Sequence, residues 1–434
     1  MTTTGIDARG VGPRAVLLTG ATGSLGGELA LALLTHTRAT VYCLVRAADQ
    51  SHATDRLRTR MLPLTGHPYP AHRLIAVRGN LLAPDLGLTD RDHTELSTVI
   101  DTVHHCGASV HLTGPYRKLA PANVGGTRSL ITFARHIARS SGQRVHFIHI
   151  STLATIVPTP IPSALRLDEA TPPCHQVLPD LGYPRSKAEA EEAARDAHGN
   201  GLETTVMRPG VIYGHSGTGR TSDADLLVPL LRAAVALGTM PTGAGAVPAD
   251  AVDTVARAIV ELSRYPTAPG HTFHLVRRTQ LPLTDVFAAL PRAGYHLRTL
   301  PVEQWWQSVQ EHLDDPQVAP LAGLGDMAAY LLAAGPRYQH PPVHSDATWT
   351  ALAHCGMPEQ PLDPNTFDRL VDWLINDGAL PPPSPTRAPI PARHRMEAPA
   401  SAGRPDTTPA VGTPAPASGP GSATRAASNQ QQLR

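Results

Sequence analysis

Residues 15–27 read "AVLLTGATGSLGG", and this stretch decides the fold. A short apolar run enters a loop with glycines at 20, 23 and 26, and helix-like sequence follows. Glycine there lets the backbone approach a pyrophosphate with no Cβ in the way. The amino end of the next helix adds free N–H groups and a partial positive charge. The first strand-to-helix crossing of an α/β chain is where dinucleotide sites lie, so Gly20, Gly23 and Gly26 are candidate cofactor residues; an ordinary turn is the alternative.

Outward from this loop, β-rich runs alternate with helical stretches. Strands are predicted at 15–20, 40–46, 73–80, 102–108, 144–151 and 203–210, with helices such as 24–36 and 121–139 between them. Continuous apolar strands separated by helices predict a parallel sheet covered on both faces, the doubly wound α/β class. From 216 the pattern turns mostly helical, with helices predicted at 224–237, 250–263, 284–291, 303–313, 326–334 and 365–377 and one more strand at 271–276. The expected organisation is a flexible 1–12 and a dinucleotide domain over 13–215 that also receives about 246–277. A smaller, mainly helical substrate lobe takes 216–245 and 278–380, and a Pro/Ala-rich disordered tail takes 381–434.

The 434 residues carry a net charge of +1, which gives no electrostatic case for a nucleic-acid partner. Four scattered cysteines without a CxxC pair predict reduced thiols in a cytoplasmic protein. No apolar run approaches the ~18 residues of a membrane span. Twenty-two histidines include no H-E-x-x-H, and no metal site is predicted.

The second strand, "VYCLVRA", ends in Arg46 with no acid beside it. An acid there binds the ribose hydroxyls of NAD, whereas an arginine accommodates the 2′-phosphate of NADP, so NADPH is the expected cofactor. Only two lysines occur, Lys118 and Lys187. The second lies in "GYPRSKAEAEE" (182–192), four residues after Tyr183 and on the same helical face. A phenol needs a nearby cation to titrate toward neutral pH, and Lys187 is placed to supply one. One strand earlier, "HISTLAT" (149–155) offers the Ser151 and Thr152 hydroxyls to a substrate carbonyl oxygen.

Together these stretches resemble an extended short-chain dehydrogenase/reductase. With "VHHCGASVHLTGPYRKLAPANVGGT", "VMRPGVIYGHSGTG", "VDTVARAIVELS" and "TFHLV", the chain resembles more narrowly the thioester reductase domains that end nonribosomal peptide synthetases and carboxylic acid reductases. The resemblance runs in family order from about residue 15 to 277. It implies that Gly20, Thr22, Gly23, Ser24, Leu25 and Gly26 line the pyrophosphate and that Arg46 meets the 2′-phosphate. Asn80 and Leu81 would border the adenine, and Cys106, Gly107 and Ala108 would run under the ribose and nicotinamide. Pro209, Gly210, Val211 and Ile212 would flank the nicotinamide. Thr152, Tyr183 and Lys187 would be the catalytic set, with Ser151 beside them. Asn123 stands where such enzymes keep a helix asparagine, with helix capping as the alternative.

The implied reaction is NADPH-dependent reduction of an acyl thioester to an aldehyde, with further reduction to an alcohol left open. No adenylation or carrier sequence accompanies the reductase stretch, so the acyl group is expected from an acyl carrier protein or peptidyl carrier domain in trans, or from acyl-CoA. Two alternatives stay open. One is a reductase or epimerase of a free ketone, sterol-like molecule or nucleotide sugar; the other is a non-catalytic NADP sensor. Two smaller expectations complete the reading: Asp250 and Asp253 stabilise a helix amino terminus, and Arg220 in "HSGTGR" (215–220) contacts a substrate phosphate or is solvated.

Overall fold

A computed structural model describes residues 12–66, 70, 72–111, 114–157, 166–174, 181–222, 225–324, 332 and 341–383. Leu332 apart, the expected helix at 326–334 and the proline-rich tail beyond 383 lie outside the described residues.

Six predicted strands form where expected: β1 (Ala15–Thr19), β2 (Thr40–Val45), β3 (Leu74–Arg78), β4 (Thr102–His105), β5 (His146–Ile150) and β6 (Glu203–Pro209). Short strands follow: β7 (Val211–Tyr213), β8 (Thr239–Thr242), β9 (Ala246–Val247) and β10 (Ala249–Ala251). β11 (Thr272–Leu275) is the expected seventh strand of the main sheet. That sheet is parallel throughout, in the order β11-β6-β5-β4-β1-β2-β3. Strand order reverses at β1, between β2 and β4, so the crevice beyond β1 and β4 is the switch point where α/β sheets bind ligands.

Alternation of side chains splits each strand between two cores. Val16 and Leu18 of β1 pack with helices α1 (Ser24–His36) and α2 (Gln50–Thr65) and with the helix Val252–Ser263. Ala15 and Leu17 face the opposite side, with helices Asp90–Val99, Gly126–Ser141 and Gly182–Gly199.

A third core gathers the helices Leu227–Leu237, Val302–Gln310 and Thr366–Asn376. Trp305 is fully buried there and donates its indole N–H to Thr239 O at 3.0 Å, so it is packing rather than a stacking platform. The stretch predicted as one helix over 284–291 is two short ones, Leu283–Phe287 and Ala289–Arg292. Ahead of Val252, residues 249–251 are strand rather than helix, because they pair with β7.

The loop 214–220 touches three elements at once. Ser216 donates from its N–H and its hydroxyl to Asp253 at 2.7 and 2.6 Å, and Arg369 Nε donates to Ser216 O at 2.9 Å. A Cβ on Gly219 would lie 2.0 Å from Arg369 O, so the loop backbone rests directly on the helix Thr366–Asn376. Arg220 pairs with the buried Glu28 of α1 and donates to Pro63 O of α2. Arg220 is thus committed to two helices of the sheet domain, which corrects the expectation of a phosphate contact. Asp253 sits in the first turn of its helix, as expected, and its carboxylate also holds this loop.

Candidate active site

The glycine loop packs as its sequence requires. Gly20 has φ +80°, and a Cβ there would lie 2.8 Å from the Cys106 carbonyl carbon and from Gly107 N. A Cβ on Gly26 would lie 2.0 Å from Gly20 O, so only glycine lets α1 start this close to the turn. No side chain caps α1 and its first turn holds no acid, which leaves its first amides for an anion. Thr22, Ser24 and Leu25 are half-buried around this opening, and Gly23 is exposed. The uncapped helix end and the cradle floored by residues 106–107 fit a dinucleotide pyrophosphate.

Around the cradle, Arg46 is exposed at the end of β2. Its carbonyl accepts from the guanidinium of Arg56, so a second arginine reaches this strand end, one that sequence reasoning missed. Asn80 turns its amide oxygen onto Leu82 N at 3.1 Å, and Leu81 packs beside Gly107 and Gly126. Strand β4 stops at His105, three residues earlier than expected, and Cys106, Gly107 and Ala108 continue as an irregular floor. Pro209 ends β6, and Val211 and Ile212 are half-buried in β7.

The helix Gly182–Gly199 carries Tyr183 and Lys187, the side chains expected to react. Pro184 sits in its first turn, where a missing N–H costs little. Lys187 is buried and donates from Nζ to Ile150 O at 2.5 Å, just before Ser151 and Thr152. Burial lowers its ammonium to about 8, while Cys106 and Glu191 pull the other way. The Tyr183 hydroxyl is pushed up by burial and by the neighbouring Cys106. The expected lowering of the phenol by Lys187 is therefore not found, and the lysine is tied to the β5 backbone instead. Burial also lifts the Cys106 thiol to about 12, with Lys187 opposing.

The two adjacent hydroxyls separate. Thr152 stays half-buried beyond the strand end and accepts from Ala154 N at 3.3 Å. Ser151 is buried and donates to Glu191 Oε2 at 2.7 Å, which corrects its expected role beside cofactor or carbonyl. Glu191 also receives Thr155, Arg195 and a bidentate Arg208, at 2.6 and 3.1 Å for the latter. Burial alone would raise the Glu191 carboxyl, but Arg208, Ser151 and Arg195 hold it below the ordinary glutamate value. Glu191 lies four residues after Lys187, a spacing that could have flagged it.

Asn123 is buried within a π-helical turn, Pro121–Gly125. Its side chain clamps Ser109 through Ser109 N at 2.7 Å and Ser109 O at 3.1 Å, and donates to Ser186 Oγ at 2.9 Å. It therefore caps no helix.

A cavity of about 590 Å³ opens beside β7 and β10, lined among others by Tyr213, Asp250, Arg257, Arg277 and Trp349. It includes none of Thr152, Tyr183 or Lys187. Among the described residues no His/Cys/Asp/Glu group is placed to hold a metal, and no helix is long and apolar enough to cross a membrane.

A doubly wound sheet, a glycine cradle at its switch point and a Tyr183/Lys187 pair one helical turn apart define an extended short-chain dehydrogenase/reductase, an NAD(P)H-dependent oxidoreductase. The chain belongs to the male sterility protein family, whose profile matches residues 18–259, and within it resembles the thioester reductases. It is 31% identical over 374 residues to a component of the linear gramicidin synthase of Brevibacillus parabrevis, covering 85% of this chain and 7% of that protein. It is 33% identical over 385 residues to isonitrile lipopeptide synthase of Streptomyces coeruleorubidus, covering 86% and 25%. The chain thus spans a quarter or less of the length of these two relatives. Among solved structures, the terminal R domain of the myxalamid PKS-NRPS pathway superposes with TM-score 0.74 at 30% identity, covering 86% of this chain and 93% of that one. A thiolation-reductase di-domain of an archaeal nonribosomal peptide synthetase shares the fold, with TM-score 0.70 at 22% identity over 85% of this chain and 77% of that one.

Proposed function

We propose that this chain is an NADPH-dependent reductase of acyl thioesters, releasing an aldehyde and a free thiol. The acyl group arrives on an acyl or peptidyl carrier domain of another chain or on CoA, in the cytoplasm. The observation that carries the reading is the buried Lys187, one helical turn after Tyr183 and bonded from Nζ to Ile150 O, on the sheet whose glycine turn packs against Cys106. The likeness to a terminal R domain supports the thioester as the reducible group. Arg46, with Arg56 beside it, supports NADPH over NADH.

When bound, NADPH supplies the hydride. Thr152 and the Tyr183 hydroxyl then hold the substrate oxygen as it becomes an oxyanion. Because burial keeps Tyr183 protonated at neutral pH, the phenol has its proton ready for that oxygen. Lys187, anchored through one N–H to Ile150 O, has its other donors for the ribose and the phenolate left behind. The thioester thereby gains one hydride and one proton to become a hemithioacetal. That species breaks its C–S bond to give aldehyde and thiol, and Tyr183 recovers its proton from solvent.

The test is cofactor oxidation by purified protein with acyl-pantetheine, acyl-CoA, carrier-loaded acyl groups and free ketones, using NADPH and NADH. One thiol and one aldehyde should appear per NADPH oxidised, and Tyr183→Phe should lower kcat roughly 10²–10⁴-fold, as loss of a general acid does. Activity should fall as pH rises through about 8, where Lys187 loses its charge. Turnover on free ketones alone would refute the proposal.

A further inference from the structure

Beneath the floor runs a line of buried polar groups that the chemistry above does not use. Gly107 N–H donates to Thr19 Oγ1 at 2.9 Å, and Thr19 Oγ1 lies 2.9 Å from His105 Nδ1. His105 Nε2 lies 2.9 Å from Thr127 Oγ1, and Thr127 donates to Asn123 O at 2.6 Å. From the same asparagine, Nδ2 donates to Ser186 Oγ at 2.9 Å, and Ser186 donates to Tyr183 O at 2.9 Å. Thr19, His105, Thr127, Asn123 and Ser186 are each at most 1% exposed.

One arrangement of the protons in this line gives every donor an acceptor. Thr127 has a single proton and gives it to Asn123 O, so it must accept from His105 Nε2–H. The Nδ1 of His105 is then bare and accepts from Thr19, which in turn receives Gly107 N–H. Ser186 spends its proton on Tyr183 O and accepts from Asn123. Every donor meets one acceptor, whereas reversing the imidazole would turn the Thr127 proton from Asn123 O to Nε2 and leave the Thr19 proton buried without an acceptor, at a cost of about 1–3 kcal/mol. Burial, with the charge of Lys187, keeps His105 neutral down to about pH 3.

The two ends of the line have different duties. Gly107 belongs to the floor that the Gly20 turn touches. Tyr183 O belongs to the first turn of the catalytic helix. We propose that Thr19, His105, Thr127, Asn123 and Ser186 form one ordered hydrogen-bond chain, centred on His105 in its Nε2–H form, that fixes the spacing between the cofactor floor and Tyr183. These five are positioning residues, and their effect on catalysis rests on the reductase reading above. A buried network with every member satisfied is rigid, and a reacting group displaced by about 1 Å costs on the order of 10²-fold in rate.

The experiment joins one spectroscopic and one kinetic readout. In protein labelled with ¹⁵N-histidine, the resonances missing from His105→Gln identify His105. They should report the neutral Nε2–H ring, unchanged from pH 5 to 9. Thr127→Val, nearly isosteric, should lower kcat about tenfold while changing the NADPH Kd, measured directly, by less than about threefold. Thr127→Ser, which keeps the hydroxyl, should restore kcat, and thermal unfolding checks that both variants fold. A ring that titrates in that range, or that carries its proton on Nδ1, overturns the chain whatever the substrate proves to be. Unchanged kcat in Thr127→Val, on any substrate the unmodified protein reduces, overturns its positioning role. Absence of thioester turnover with an intact Nε2–H signature would count against the reductase reading and not against the chain.

Discussion

Replacing Glu191 by Gln should be among the most damaging single changes outside the reacting groups. The carboxylate and the Arg208 guanidinium are both fully buried and meet at 2.6 Å, and Ser151, Thr155 and Arg195 converge on the same two oxygens. Removing one charge leaves the other buried without compensation, which costs about 3–5 kcal/mol. Unfolding the roughly 335 described residues at about 2.1 cal/mol/K each gives an entropy near 0.7 kcal/mol/K, so ~4 kcal/mol lowers Tm by about 6 °C. Scanning calorimetry reads this directly. Glu191→Met combined with Arg208→Met should recover most of the loss, because an apolar pair of similar size needs no compensation. pH supplies a further check with a defined sign. Since the folded Glu191 value is depressed, its contribution is complete above the ordinary glutamate value and disappears as pH falls through the folded one. The gap between Glu191→Gln and the unmodified chain should therefore close in acid. A Tm change under about 1 °C, or a double variant as unstable as the single one, would refute the assignment of Glu191–Arg208 as the charge pair on which this core depends.

Two further outcomes follow from other positions. Gly26→Ala drives a Cβ to 2.0 Å from Gly20 O, a backbone atom with no side-chain route to yield, so NADPH affinity measured by calorimetry should fall at least about tenfold. Gly199→Ala, with open space at its Cβ, should leave affinity unchanged, and equal effects at both sites would contradict the packing argument. Burial raises the Asp250 carboxyl to about 7, so the folded chain holds its proton more tightly than the unfolded chain does. That contribution is complete below the ordinary aspartate value and is lost as pH rises toward 7. Asp250→Asn should therefore gain stability relative to the unmodified chain between pH 5 and pH 8, by up to a few kcal/mol. Urea unfolding at both pH values checks this, and a gain at pH 5 that vanishes at pH 8 would reverse the sign.

Short-range chemistry is the legible part of this chain. The turn at Gly20 and the approach at Gly26 follow from residues six positions apart, and Tyr183 with Lys187 follows from one helical turn. What escapes a sequence reading depends on which strands become neighbours. Glu191 is readable as the next turn beyond Lys187, but its partner Arg208 is fixed only when β6 lies against the helix Gly182–Gly199. Ser151 and Thr152 are equivalent as letters, and strand alternation turns one to Glu191 and leaves the other at the open end. His105 and Thr127 give no signal in sequence because their partners come from β1 and a π-helical turn. Arg220 departs from expectation for the same reason: its acid, Glu28, lies 192 positions away.

The loop 214–220 has a consequence for anyone recombining such enzymes. Its side chains answer to Asp253, Glu28 and Pro63, while its backbone answers to Arg369 and the helix that follows. A chimera joined immediately after β7 would pair one parent's peg with another parent's socket on at least one side. Grafts that change the helical lobe should carry Glu28, Asp253 and the 214–220 segment as a single hereditary unit with Arg369, even though these residues come from four separate places in the chain.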